Sequence, residues 1–221
     1  MLIPFNKVVK EYLAHVKIHG ILHLGAHDCE ELNAYEACGI RRENILWIDA
    51  IEEKVQQAKN NGIPNVYQAV ISDREEECIL HITNNYQSTS ILELNTHKHE
   101  HPDIYVTERR SVRAKTLTGF FMETGLDPKN YNLWSLDIQG AELSALRGAD
   151  EILENVDAIY TEVNVQHVYK DCPLINDLDR YLSTKGFVRV CEVILSYGWG
   201  DALYIKKHLG SRPLLNFIKR F

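Results

Sequence analysis

The chain has 221 residues, 45% of them hydrophobic and 25% charged, which is the balance of an ordinary soluble globular protein. Its formal net charge of −7 argues against a nucleic-acid partner, because proteins that bind phosphate backbones need a basic surface. The apolar runs are the length of strands and fall far short of the roughly 20 residues that cross a bilayer. We therefore expect neither a nucleic-acid partner nor a transmembrane segment.

The five cysteines are odd in number and widely spaced, and no Cys-x-x-Cys pair is present. This arrangement argues against a disulfide framework and against a cysteine zinc site. The first 17 residues include Lys7, Lys10 and Glu11 and lack an unbroken apolar core, so they do not resemble a signal peptide. The sequence therefore predicts a reducing, cytoplasmic location.

Strand-like and helix-like segments alternate along the chain after an amphipathic helix at residues 6–16. The helix at 30–38 ends at Gly39 and the helix at 52–60 ends at Asn61-Gly62, both of which are stop signals. Further helices are predicted at 116–124, 141–147 and 174–184. The strands that alternate with these helices are predicted at 20–24, 44–49, 66–71, 132–137 and 158–163.

The last two strands, 187–195 and 202–206, follow one another without a helix and predict an antiparallel hairpin around the turn at 197–200. Residues 78–83 alternate like a strand, and the stretch 81–113 has no helical period, which predicts an insertion of strand and loop over the sheet rim. Alternating strands and helices predict a mostly parallel sheet with helices on both faces. The expected fold is α/β and Rossmann-like, with seven strands in a single domain over residues 1–221.

The two ends of the chain differ in character. A helix is expected within residues 1–18. Residues 207–221 form a basic tail without any carboxylate side chain. A docked terminal helix is the favoured interpretation of this tail, and weak contact with an acidic membrane or partner is the alternative.

Polar residues follow the predicted strands at the edge where an open α/β sheet binds its ligands. Gly25 allows close approach of a ligand to the first turn, and Asp49 ends the second strand, where an acidic side chain can hold a ribose diol. Cys29 and Glu30 stand where a dinucleotide fingerprint would have further glycines, so a ribose ligand without a pyrophosphate, such as S-adenosylmethionine, fits better than NAD. A helix cap for residue 52 onward is the alternative role of Asp49.

Several motifs together resemble the FkbM family of methyltransferases. They include Gly-Ala-His at 25–27, Asp-Ile-Gln-Gly-Ala-Glu at 137–142, Leu-Arg-Gly-Ala at 146–149, Thr-Glu-Val-Asn at 161–164 and Trp-Gly-Asp at 199–201. The resemblance runs from about residue 20 to 206. The family pattern has Asn-x-Gly after Gly-Ala and Glu at the position of Asp49, whereas this chain has His27, Cys29 and Asp49.

This resemblance implies a methyltransferase fold, S-adenosylmethionine as donor and transfer to oxygen, with a sugar or glycan hydroxyl as the expected acceptor. The residues expected to bind the donor follow the strands; they are Gly25, Ala26, His27, Asp49, Ala50, Ser72, Asp73 and Asp137. Another small-molecule or lipid hydroxyl is the alternative acceptor. A nicotinamide-dependent oxidoreductase and a non-catalytic binding module are the competing classes of function.

Asp137 and Glu162 end neighbouring strands and are expected to frame the reaction centre, with His167 as the alternative base. The two carboxylates could share a proton, hold a divalent metal or bind the ammonium of the donor, and a helix cap is the alternative role of Asp137. Polar side chains suited to the acceptor are Asn85, Ser88, Ser90, Gln139 and Asn164. The histidines at 97, 99 and 101 form a short tract for which metal binding is the minority interpretation.

Overall fold

The computed structural model describes residues 1–209, with ten strands and seven α-helices. The strands are β1 (Ile21–Leu24), β2 (Ile45–Asp49), β3 (Val66–Gln68), β4 (Val70–Ile71), β5 (Glu76–Thr83), β6 (Val106–Lys115), β7 (Leu133–Leu136), β8 (Ala158–Asn164), β9 (Phe187–Ile194) and β10 (Trp199–Lys206). The helices are α1 (Phe5–Glu11), α2 (Leu32–Ala37), α3 (Glu52–Asn60), α4 (His97–Glu100), α5 (Leu117–Thr124), α6 (Glu142–Arg147) and α7 (Ile175–Thr184).

Seven strands form the main sheet in the order β3-β2-β1-β7-β8-β10-β9. The first five in this order run parallel, and β10 is antiparallel to both β8 and β9. The strand order reverses between β1 and β7, because the chain moves outward from β1 to β3 and then returns to the other side of β1. The predicted Rossmann-like sheet with a C-terminal antiparallel hairpin is confirmed.

Helices cover both faces of the sheet, each face having its own apolar core. On one face α1, α2 and α3 pack against the sheet through Val8, Tyr35 and Val55, among other side chains. On the other face α5, α6 and α7 do so through side chains such as Phe120 and Leu146. Because the strands are buried on both sides, they read as continuous apolar runs rather than alternating ones.

The helix ends follow local rules that the sequence displays. Thr116 caps α5, its hydroxyl oxygen accepting the Gly119 N–H at 2.9 Å, and Gly125 ends the helix in the left-handed region at φ +69°. The first helix is shorter than predicted and ends at Glu11. Beyond it, the Leu13 N–H is shared between the oxygens of Val8 and Val9, and the Val16 N–H closes a short turn back to Leu13.

The predicted third strand is interrupted, and the interruption redirects the chain into a second sheet. Residues 66–68 pair with β2, whereas Val70 and Ile71 leave the main sheet and pair with β6. Together β4, β6 and β5 form a second sheet of three strands. The predicted insertion consists mainly of the β5–β6 pair and, between these strands, the short helix α4, which the sequence pattern did not predict.

No helix among residues 1–209 is long and apolar enough to span a bilayer. Residues Lys207–Leu209 form a single 3-10 turn. The remainder of the predicted basic tail, 210–221, lies outside the described residues.

Candidate active site

The carboxyl ends of β1, β2, β7 and β8 meet at one edge of the sheet because these strands are parallel and in register. Leu24 pairs with Ile48 on one side and with Leu136 on the other, and Leu136 pairs with Thr161. The residues just beyond these strand ends open into a cavity of about 510 Å³, a size typical of small-molecule sites. Among the predicted site residues that line it are Gly25, Asp49, Asp137 and Glu162.

Gly25 lies where two strand ends approach most closely. Its φ is +84°, and a Cβ at this position would lie 1.8 Å from the backbone oxygen of Asp137. The N–H of Gly25 donates to the oxygen of Ile48 at 2.9 Å, and the N–H of Asp137 donates to Leu24 at 3.0 Å. A glycine is therefore required to bring the β1 turn beside the β7 turn.

Asp49 is buried, and its carboxylate shapes the first turn of the cavity wall. One oxygen accepts the N–H of His27 at 2.7 Å and the other accepts the N–H of Ile51 at 2.8 Å. A carboxylate has about four acceptor positions, so each oxygen keeps capacity for a further donor. Burial raises the pKa of Asp49, and the two backbone N–H groups oppose that rise. The remaining acceptor capacity of this carboxylate suits the two hydroxyls of a ribose diol.

The turn after β1 keeps a left-handed backbone without glycine at its later positions. His27 and Cys29 have φ values of +42° and +55°. Cys29 stands where the family pattern has glycine and is buried in the core beneath the turn. His27 lines the cavity, and its Nδ1 atom lies 2.9 Å from Glu30.

Gln139 joins the carboxyl groups of Asp137, which follows β7, and Glu162, which lies near the end of β8. Its Nε2 atom donates to Asp137 Oδ1 at 2.6 Å and to Glu162 Oε2 at 2.8 Å. Its Oε1 atom accepts the hydroxyl of Tyr169, and its backbone oxygen accepts the hydroxyl of Ser90 at 2.8 Å. Gln139 itself has a φ of +59°, so this turn is strained as well as cross-linked.

The carboxyl groups behind this turn retain protons to unusually high pH. Burial, followed by the negative charges of Asp137 and Glu142, raises the pKa of Glu162 well above its ordinary value. Burial is also the main cause that raises the pKa of Glu142 to about 7, and the charge of Asp137 adds to it. Asp137 is exposed to the cavity, whereas Glu162 and Glu142 are buried. Carboxyls in such different environments are suited to different roles in proton transfer.

The predicted polar loop covers one side of the cavity. Asn85, Ser88 and Ser90 all line the cavity, as does Tyr86 between them. The Asn85 side chain donates to Ser88 Oγ at 3.1 Å and accepts the Ser88 N–H at 3.2 Å. The loop is therefore held in shape by its own side chains, in addition to the bond between Ser90 and Gln139.

Three residues predicted to bind the donor do not line the cavity. Ala26 points into the core beneath β1. Ser72 and Asp73 follow β4 after the chain has left the main sheet, and the Ser72 N–H bonds to Lys115 of β6 instead. Because the predicted strand 66–71 is interrupted at Ala69, residues 69–71 line the cavity in place of Ser72 and Asp73.

His167 and Asn164 also lie outside the cavity lining. His167 is exposed, and its Nδ1 atom lies 2.9 Å from the backbone oxygen of Cys172. Asn164 is buried at the end of β8, and its side chain reaches back to Glu162 at 3.5 Å. The chain turns away from the sheet after β8, so the first residues of that connection face solvent and Val168 and Tyr169 face the cavity.

Four ring-bearing side chains that the sequence pattern did not predict in the site also line the cavity: His97, His101, Tyr169 and Trp199. The histidine tract was the one signal for these residues in the sequence, and metal binding was its minority interpretation. Trp199, which the pattern placed in the hairpin turn, begins β10 and is half-buried at the cavity.

Among residues 1–209, the side-chain group whose geometry could hold a metal ion is His27, Asp28 and Glu30 at the cavity mouth. Lys54 already contacts Asp28 at 2.8 Å, which supplies this group with a positive charge. The predicted pair Asp137 and Glu162 has the Gln139 amide between its carboxyls. The Gln139 amide therefore takes the position that a metal ion bridging the two carboxyls would need.

Comparisons with known proteins point to a methyltransferase family. The family described as "Methyltransferase FkbM domain" matches residues 23–189. A comparison with curated proteins found no match. Among solved structures, magnesium protoporphyrin IX methyltransferase from Synechocystis PCC 6803 with bound SAM is 10% identical, with 91% of this chain and 77% of that chain covered and a TM-score of 0.46. A SAM-dependent methyltransferase from Aquifex aeolicus is 11% identical, with 90% and 92% covered and a TM-score of 0.39.

Proposed function

Because the chain belongs to the FkbM family of S-adenosylmethionine-dependent methyltransferases, we propose that it methylates a hydroxyl oxygen of a carbohydrate acceptor. The observation that carries this proposal is the shared cavity in which Gly25 and Asp49 face Asp137 and Glu162. One side of this cavity fits a ribose diol, and the other offers carboxyl groups for proton transfer from a hydroxyl.

Gly25, His27, Asp49 and Ala50 would hold the donor, which supplies a methyl group already activated on a sulfonium sulfur. Asp49 would accept hydrogen bonds from the ribose hydroxyls through its two remaining acceptor positions. Because Gly25 has no side chain, it leaves room for the ligand beside the turn that carries Asp137. Together these residues fix the direction of methyl transfer. Orientation of this kind can lower a barrier by roughly 7 to 11 kcal/mol.

Asp137 would act as the base. It is exposed to the cavity, and Gln139 holds its carboxylate through Nε2. Asp137 accepts the proton of the acceptor hydroxyl while the oxygen forms its bond to the methyl carbon and the carbon–sulfur bond of the donor breaks. Glu162 retains its own proton beside Asp137 because burial and like charge raise its pKa. His167, which faces solvent, has no support as the alternative base.

The polar side of the cavity supports a carbohydrate as the acceptor. Asn85, Ser88 and Ser90 lie on the loop that faces the carboxyl groups, and hydroxyl and amide groups suit a polyhydroxyl ligand. A lipid or other non-carbohydrate hydroxyl is the second candidate, because Leu80, Ile91 and Ile104 add apolar surface to the lining.

The test has a binding step and a transfer step. Calorimetry with S-adenosylhomocysteine and then with NAD separates the donor classes, and binding of NAD alone would end the methyltransferase assignment. Transfer from methyl-labelled S-adenosylmethionine is then measured on one pool of methyl pyranosides and one pool of aliphatic alcohols. We expect O-methylated pyranosides, identified by mass spectrometry and NMR.

The Asp137→Asn variant tests the proposed base in the same assay. Loss of a general base should lower kcat by about 10²- to 10⁴-fold, while S-adenosylhomocysteine affinity changes little. Asp73→Asn is the matched control, because Asp73 is exposed and lies outside the lining. Turnover by Asp137→Asn at the rate of the native chain would show that proximity alone drives the reaction.

A further inference from the structure

His97 is the first residue of α4, and its ring is buried in the cavity wall. The residue is 7% exposed, and its Nδ1 atom is buried without any hydrogen-bond partner. It lines the same cavity as Asp137 and Glu162. A buried polar atom in a folded protein almost always has a partner, so an unpaired one beside a ligand cavity points to the ligand.

The ring of His97 is held firmly in place by its neighbours. Its centroid lies 5.0 Å from that of His101 and 5.6 Å from that of Tyr169. Tyr169 donates to Gln139, the residue that joins Asp137 and Glu162. His97 is therefore linked through two side chains to the proposed reaction centre.

The backbone of the insertion is anchored to the segment after β8. The N–H groups of Asn95 and His97 both donate to the oxygen of Val168, at 3.0 and 3.2 Å. The Asn95 side chain and the Thr96 hydroxyl donate to the oxygen of His167, at 2.8 and 3.3 Å. His167 thus contributes through its carbonyl, by fixing the segment that carries His97 into the cavity.

The chemistry of the ring limits what it can bind. Burial, and then the charge of the neighbouring His101, lowers the pKa of His97 to about 4, so the imidazole is neutral near neutral pH. A neutral imidazole has one nitrogen that donates and one that accepts. A hydroxyl can donate or accept, so it pairs with Nδ1 in either tautomer of the ring. An ammonium pairs only with the tautomer in which Nδ1 accepts, and a carboxylate only with the tautomer in which Nδ1 donates.

We propose that His97 binds the acceptor by a hydrogen bond between its Nδ1 atom and an acceptor hydroxyl. This inference rests on the proposed function, and it adds a residue from the insertion to the acceptor side of the site. The cavity then holds the acceptor between Asp137 on the sheet edge and His97 on the insertion.

The test compares His97→Leu with the native chain and with His99→Leu. His99 is the exposed histidine of the same short helix and makes a matched control. Initial rates are measured with S-adenosylmethionine and the best acceptor from the pyranoside and alcohol pools. We expect His97→Leu to raise KM for that acceptor about tenfold, the loss expected for one hydrogen bond, with kcat and S-adenosylhomocysteine affinity little changed.

Thermal unfolding without ligand supplies a readout that is independent of activity. A histidine kept for binding leaves an unpaired polar atom in the free protein, so His97→Leu should match or exceed the native chain in Tm. An unchanged acceptor KM, or a Tm clearly below that of the native chain, would overturn the inference. If only an alcohol is methylated, the carbohydrate proposal fails, and the KM comparison on that alcohol still decides the role of His97. If neither pool is methylated, the proposal of a hydroxyl acceptor fails, and the proposed role of His97 fails with it.

Discussion

At the scale of single residues, the donor side of the site depends on the buried carboxylate of Asp49. The Asp49→Ala variant removes the acceptor for two ligand hydroxyls and for the N–H groups of His27 and Ile51. Because hydrogen bonds to charged groups are worth about 1.5 to 3 kcal/mol each, we expect S-adenosylhomocysteine affinity to fall by at least about 100-fold. Calorimetry measures this loss directly.

Two control variants accompany Asp49→Ala. Asp49→Asn keeps one acceptor oxygen and should bind the ligand with intermediate affinity. Asp73→Ala changes an exposed carboxylate outside the cavity lining and should leave the affinity as it is. Native-like affinity in Asp49→Ala would remove Asp49 from the ribose-binding role.

The ionisation of Glu142 makes the free energy of unfolding depend on pH. One of its carboxyl oxygens accepts the N–H groups of Ile138 and Gly140, at 3.0 and 3.1 Å, and so holds the turn after β7. Its pKa rises from 4.5 to about 7 on folding, chiefly through burial. A raised pKa means that the folded state binds the proton more tightly. The stability gained from it is complete below the unfolded pKa and is lost as the pH rises through the folded pKa.

The Glu142→Gln variant keeps the accepting oxygen and removes the titration. The free energy of unfolding of the variant minus that of the native chain should therefore increase from about pH 5 to about pH 8. The increase should be at least about 1.4 kcal/mol, the value of one pKa unit. Urea denaturation at the two pH values measures the difference. Stability curves of the two proteins that run parallel over this range would contradict the assigned protonation.

At the scale of elements, the turn after β1 and the turn after β7 must approach to form the site. Gly25 and Gly39 have the same φ of +84°, but only Gly25 faces the backbone of another element. Gly39→Ala should lower the free energy of unfolding by about 1 to 2 kcal/mol, the cost of a left-handed alanine. Gly25→Ala adds a backbone overlap at Asp137 and should cost roughly a further 1 to 3 kcal/mol.

Chemical denaturation of both glycine variants measures the cost of the close approach. The comparison isolates the overlap, because the conformational strain is common to both. Equal losses at the two positions would mean that the turns after β1 and β7 are looser in solution and that a side chain fits between them.

The elements that could be predicted from sequence are those whose apolar pattern and end signals agree. The helix Glu52–Asn60 has the predicted bounds, and α5 lies within one residue of the predicted range 116–124. The pattern failed where tertiary pairing decides the structure. Residues 66–71 form one mostly apolar run, yet the run is divided between two sheets, and no local propensity records which partner strand each half meets.

At the scale of the whole molecule, the sheet edge that carries the site could be predicted from the alternation of strands and helices. Parallel strands place their carboxyl ends together, so Asp49, Asp137 and Glu162 could be grouped from sequence. The residues contributed by the insertion and by the connection after β8 could not be grouped in this way. Their positions depend on loop geometry, and His97 enters the cavity while His167 faces solvent.

The proposed reaction requires that one cavity hold the S-adenosyl donor at Asp49 with its reacting methyl group at Asp137. A crystal structure of the protein with S-adenosylhomocysteine examines this requirement without any assumption about the acceptor. We expect the ribose hydroxyls within hydrogen-bond distance of the Asp49 carboxylate and the sulfur facing Asp137. A ligand whose ribose does not reach Asp49, or whose sulfur points away from Asp137, would refute the proposed arrangement.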